Sequence, residues 1–124
     1  MEAVVLDLDG KILVSHLHSI QSFIENFGDQ VNIINTDSNQ FSQIMRLNVS
    51  KENAISILSD KLGISLKKIM VFGDDFNDLG LFKICGYPVA MGNAIRELKD
   101  LAMEVTDTND HDGVSKALEA RFFI

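Results

Sequence analysis

The apolar positions of this chain fall first into an almost unbroken run at residues 2–9, where Ala3, Val4, Val5, Leu6 and Leu8 precede Asp9 and Gly10. A strand buried on both faces has this pattern, so the run predicts a central parallel strand with Asp7 and Asp9 at its C-terminal end. The period then changes. Leu17, Ile20, Phe23, Ile24 and Phe27 recur at helical spacing over 16–27, with Gly28 placed to end the helix. Residues 30–35 (QVNIIN) read as a strand, 36–40 (TDSNQ) as a turn and 41–47 (FSQIMRL) as a second strand, so 30–47 predicts a hairpin. Ser50 is positioned to cap a helix over 51–62, in which Ala54, Ile55, Leu58 and Leu62 form the expected buried face and Gly63 the stop.

From residue 68 the pattern alternates regularly. Strands are predicted at 68–72, 87–91 and 103–106, and helices at 76–85, 94–101 and 113–121. Such a rhythm indicates right-handed crossovers and a parallel sheet flanked by helices, an α/β fold. No internal repeat or clear linker interrupts it, and 124 residues suit one domain, 1–124.

Composition narrows the function classes. The hydrophobic fraction of 46% and charged fraction of 23% are those of a globular chain. A net charge of −7 disfavours a broad nucleic-acid or anionic-membrane surface, while leaving room for a local cationic pocket that takes one phosphate. The single cysteine, Cys85, excludes an internal disulfide, and no charged-then-apolar leader precedes the first strand, so a cytoplasmic location is expected.

The candidate chemistry lies at two strand ends. Asp7 and Asp9, two apart on a strand, suit a nucleophile and a general acid/base, although Asp9-Gly10 is also a common turn dipeptide. In Gly73-Asp74-Asp75-Phe76-Asn77-Asp78, three carboxylates and an amide crowd five residues, either as a metal site or as an acidic, capped helix start. If both strand ends share one sheet edge, their hard oxygens could share one Mg2+. Lys51 opens a helix, where the dipole disfavours a cation unless an anion lies nearby. Asn93 is a candidate N-cap after Gly92. His111 falls in a polar turn, and His16 and His18 have no ligand pattern and read as surface residues.

Taken in order, LDLDG at 6–10, VSK at 49–51, FGDDFND at 72–78, VAMGNA at 89–94, ELKDLA at 97–102 and TNDHDGV at 108–114 resemble the haloacid dehalogenase (HAD) superfamily, Cof-type phosphatases in particular. The resemblance covers about two thirds of the chain, nearly continuously from residue 41. It implies a Rossmann-like core and a Mg2+-dependent phosphatase acting on a small phosphorylated metabolite. In that scheme Asp7 attacks phosphorus to give an aspartyl-phosphate, and Asp9 protonates the leaving alcohol and then activates water. Asp7, the Asp9 carbonyl and Asp74 would ligate Mg2+. Lys51, Asn77 and the backbone at Gly10 would hold phosphate, and Asp78 would orient the neighbouring groups.

Two features depart from the family pattern. Lys11 stands where the family usually has threonine. Only about 40 residues separate Gly10 from Lys51, too few for a second core strand with its phosphate-binding Ser or Thr and then a large cap. One account is an internal deletion that leaves 30–48 as a cap remnant. The other makes 30–36 the second core strand, with Thr36 or Ser38 donating to phosphate, and requires 30–35 to pair parallel with 3–8. Three functions compete: a phosphatase, an inactive remnant that binds or oligomerises, and a receiver-type phospho-acceptor, which the motif order disfavours. Lost core strands would leave an apolar sheet edge, from which a homo-oligomer is expected.

Overall fold

The computed structural model describes residues 4–8, 11–15, 24–36 and 41–122. Among these the chain forms two sheets. The first is antiparallel and is built from β1 (Val4–Leu8), β2 (Lys11–Ser15), β3 (Val31–Thr36) and β4 (Phe41–Arg46), in the spatial order β1-β2-β4-β3. The second is parallel: β5 (Met70–Gly73), β6 (Tyr87–Ala90) and β7 (Glu104–Val105), in that order.

The hairpin expected at 30–47 is present, with Thr36 opposite Phe41 and Val31 opposite Arg46. Ser42, almost fully buried, donates its hydroxyl to Asn35 Oδ1 at 2.8 Å across the same pair. The hairpin is widened by β2, a strand the hydrophobic pattern did not mark, which pairs with β4 from Ile12↔Ile44 to Ser15↔Phe41.

The first strand departs from expectation. Val4–Leu8 is not a central parallel strand; it runs antiparallel to β2, with Leu8 opposite Lys11 and Val4 opposite Ser15. Asp9 and Gly10, which lie outside the described residues, are all that separates Leu8 from Lys11. An apolar run such as VVLDL can pair in either kind of sheet, and here the adjoining strand-forming segment KILVS competes successfully for it. The alternative second core strand is also excluded, because β3 pairs antiparallel with β4 and is separated from β1 by two strands.

Helices pack against the parallel sheet. α1 (Lys51–Leu62) has its Ser50 hydroxyl accepting from the Asn53 N–H at 3.1 Å. It ends at Gly63, whose φ of 65° suits glycine. Its buried face is narrower than the pattern predicts. Ile55 packs on the core and Ser59 is buried, donating to the Ile64 carbonyl, while Ala54, Leu58 and Leu62 are exposed. Among the described residues α1 packs chiefly against α2 and the 3-10 turns at 66–68 and 76–78, which reach one stripe of it.

α2 (Leu79–Ile84), α3 (Arg96–Leu101) and α4 (Gly113–Phe122) complete the second half. Its core is Val71, Phe82, Cys85, Ala90, Met91, Ala94 and Leu98. Burial pushes the Cys85 thiol up, partly offset by the charge of Lys67. The predicted 76–85 helix divides into a 3-10 turn at Phe76–Asp78 and α2. Residues 16–23 of the predicted first helix lie outside the described residues, His16 and His18 among them. Ile24 to Phe27 form a helical turn ahead of Gly28. No described helix is long and apolar enough to cross a membrane.

Candidate functional site

The site is built at the C-terminal end of β5. The backbone leaves the sheet at Gly73, and Asp75 caps the adjoining 3-10 turn, its Oδ1 accepting from the Phe76 N–H at 2.7 Å. Asp78 folds back over the same turn. Its Oδ2 accepts from the N–H of Asp74 at 3.0 Å and that of Asp75 at 3.4 Å, completing a reciprocal capping box. A side chain at residue 73 would be crushed: a Cβ there would sit 2.7 Å from Asp78 Cβ and 2.8 Å from Phe82 Cε1. The FGDDFND sequence is thus a self-consistent turn. Glycine makes the space, Asp78 fills it, and two backbone donors that a strand end leaves over are satisfied.

Asp78 also explains Lys51. The Lys51 ammonium donates to Asp78 Oδ1 at 2.5 Å. The Asp78 side chain is 4% exposed and that of Lys51 is 47% exposed, so a buried carboxylate holds a half-exposed lysine. This is the compensating anion that a cation in the first turn of α1 requires. Asn77 lines a cavity together with Lys51 and Ser50, at the same end of the turn.

Asp74 has its side chain at the exposed edge, while its carbonyl accepts from the Ile95 N–H at 3.0 Å. A second tie, from the Met91 N–H to the Gly73 carbonyl at 3.0 Å, fixes β5 to the Gly92-Asn93 loop. Asn93 does not cap α3 as expected. It accepts from the Asn109 N–H at 3.1 Å, binding the two loops together, and Ile95 occupies the cap position. His111 is exposed, its Nδ1 2.6 Å from the Thr108 hydroxyl.

Lys51, Asp74, Asn77 and Asp78 are therefore brought together; the side chain of Asp7, on β1, lies outside the described residues. β3 packs against the Phe76–Asp78 turn, and β1 is the opposite edge of that sheet among the described strands. Three inter-strand steps of about 4.8 Å put β1 about 14 Å from β3. The expectation that both acidic strand ends share one parallel sheet is thus corrected. Asp9 and Gly10, expected as metal ligand and phosphate contact, lie outside the described residues, as does Ser38. Thr36 is buried on β3. Among the described residues, β5 has no strand on its other edge.

Mg2+ is a hard cation that keeps several waters and takes one or two carboxylates plus substrate phosphate oxygens. Asp74 is such a donor, exposed and beside Lys51's anion. Asp78 is committed to Lys51 and the backbone. Among the described residues no three His, Cys, Asp or Glu side chains are gathered as a metal cluster. The donor set fits one side of a Mg2+ site.

Three contributors were missed by sequence reasoning. Asp75 had no assigned role, although the Asp75-x-x-Asp78 spacing is that of a capping box. Gln43 and Met45 line the cavity beside Lys51. Their alternation with Ser42 and Ile44 in β4 was the available signal.

Comparison with known proteins identifies the family. Residues 5–118 match the family profile described as haloacid dehalogenase-like hydrolase. A putative phosphatase from Haemophilus influenzae is 40% identical over 82 residues, 66% of this chain and 31% of the relative. A phosphoglycolate phosphatase from Archaeoglobus fulgidus is 34% identical over 103 residues, 83% of this chain and 44% of the relative. Among solved structures, a haloacid dehalogenase-like hydrolase from Bacteroides thetaiotaomicron superposes with a TM-score of 0.76 at 30% identity, covering 91% of this chain and 44% of that one. The chain spans less than half the length of these relatives.

Proposed function

Because the chain belongs to the haloacid dehalogenase-like hydrolases, we propose that it serves a Mg2+-dependent phosphatase reaction on a small phosphorylated metabolite. It supplies the half of the site that holds the phosphoryl group and the metal. The observation that carries this reading is the Lys51–Asp78 pair, 2.5 Å long, with Asp78 locked by the N–H groups of Asp74 and Asp75.

In this reading Lys51 contacts phosphoryl oxygens with the donors that Asp78 leaves over, and Asn77 adds an amide donor. Asp74 is the metal ligand. Asp78 is a positioning residue: it fixes the lysine and the backbone from which Asp74 projects. Bound Mg2+ would supply charge compensation for phosphoryl oxygens. Positioning and charge compensation are the main requirements of phosphoryl transfer.

Hydrolysis through an aspartyl-phosphate needs a further carboxylate beside Asp74. Asp7 and Asp9 are the residues the resemblance puts forward as nucleophile and proton carrier. The pairing of β1 with β2 argues against Asp7 in this arrangement. The edge of β5 that no described strand pairs with supports a nucleophile arriving on a strand added there. That same edge supports association with another chain.

A second reading, a phosphate-binding module without turnover, is favoured by the pairing of β1 with β2 in the antiparallel sheet. Phosphate-release assays on an aryl phosphate, with and without Mg2+, discriminate the arrangements. The half-site reading expects phosphate binding that depends on Mg2+ and on Asp74, lost in Asp74→Asn, with no change in Asp7→Asn. Mg2+-dependent turnover abolished by Asp7→Asn would instead place β1 against β5 and contradict it.

A further inference from the structure

A cavity of about 200 Å³ opens directly from Lys51 and Asn77. Its far wall is the antiparallel sheet: Ile34 and Gln43 face each other across the β3–β4 pair, and Met45 lies two residues further along the same face. Val49 and Ala54 close the side. Lys51 is the one charged side chain among the described lining residues, and apart from Ser50 and Asn77 beside it, Gln43 is the one polar one.

We propose that this cavity receives the organic part of the phosphate ester, and that it selects a compact, mainly apolar alcohol or aromatic ring bearing one hydrogen-bonding group. The proposal rests on the phosphatase reading above and specifies its substrate class. Three observations carry it. The single cation fixes which end takes the phosphoryl group. The volume holds a ring-sized group. The walls set the polarity: each hydroxyl pressed against Ile34, Met45 or Val49 loses water without gaining a partner, which weakens binding about tenfold or more. A polyol such as a sugar has several such groups, and among the described residues the sheet wall offers the Gln43 amide alone to meet them.

The test titrates the whole chain, in Mg2+, with inorganic phosphate, phenyl phosphate, hydroxyphenyl phosphate and a hexose phosphate. Phenyl phosphate is expected to bind at least about tenfold tighter than inorganic phosphate, by the burial of a ring, and hexose phosphate no tighter than inorganic phosphate. Gln43→Leu should abolish any preference for hydroxyphenyl over phenyl phosphate. Ala54→Leu fills the cavity from an exposed position of α1 where leucine keeps the helix. It should weaken phenyl phosphate about tenfold more than inorganic phosphate. Inorganic phosphate that binds while phenyl phosphate gains nothing, or a hexose phosphate that binds tightest, overturns the inference and leaves the phosphatase reading standing. Absence of all phosphate binding overturns both.

Discussion

The two sheets of this molecule treat their acidic residues differently. At the end of β5, every component of the turn is held by another: Asp75 caps Phe76, Asp78 accepts from 74 and 75, Lys51 pairs with Asp78, and Gly73 leaves room for all of it. At the end of β1, the corresponding Asp-Leu-Asp-Gly stretch joins two antiparallel strands. Similar local sequence therefore leads to a self-capped turn in one place and to a link between antiparallel strands in the other. The distinction comes from the segment that each strand runs into. β5 runs into a capped turn that needs its carboxylates to satisfy backbone donors, and β1 runs into another strand.

The largest effect expected from this contrast concerns packing. Leu98 is fully buried in the parallel half, and Leu98→Ala should cost about 3–4 kcal/mol in denaturant unfolding. Met45, in the antiparallel half, is 7% exposed but borders the cavity, where part of its surface already lacks partners. Met45→Ala should cost about 2 kcal/mol, because less packing is lost. Equal losses would mean that the cavity is filled and that the two halves are packed alike.

Next comes the turn itself. Gly73→Ala introduces a Cβ under 3 Å from Asp78 and Phe82, both held by their own contacts. Overpacking of this kind should cost about 2 kcal/mol and displace Asp78 from Lys51. Thermal melts and phosphate titrations should therefore fail together. A smaller effect is expected in the other sheet. Ser42→Ala removes the donor to Asn35 and should cost about 1 kcal/mol, read as faster amide exchange in β3 and β4 with no change at the turn.

The smallest effect is electrostatic and lies away from both sites. Lys116 donates to Asp107 at 2.6 Å, and this hydrogen bond, with the Thr108 N–H, holds the Asp107 carboxyl below its ordinary range. A carboxylate whose folded pKa is lowered stabilises the fold above its unfolded pKa of about 4 and loses that contribution as pH falls through the folded value. Asp107→Asn should thus narrow its melting-temperature difference from the parent chain as pH drops below about 4. A difference that persists at low pH would assign the effect to packing.

Much of this was legible along the chain. The rhythm after residue 68, the Ser50 cap, the Gly63 stop and the 30–47 hairpin all rest on local signals, and all are found. The Asp74 to Asp78 turn was legible as a cluster because its residues are consecutive, and Lys51 because a cation at a helix start asks for an anion. The fate of β1 was not legible. A five-residue apolar strand carries no label for its partner, and pairing is decided by the competing segment KILVS and a two-residue connection. The face of α1 misled for a related reason: Leu58 and Leu62 have the right period for burial, but no described element covers that side.

The central claim is that Lys51, held by Asp78 beside Asp74, is a phosphoryl-binding cation. Residue-resolved NMR of inorganic phosphate binding in Mg2+, on the parent chain and on Lys51→Met, tests it most directly. Shifts at Asp74, Asn77 and Asp78 that require Mg2+, with affinity reduced about tenfold or more in Lys51→Met while the fold persists, are the predicted result. Phosphate that shifts other residues, or that binds equally well to Lys51→Met, would contradict the account.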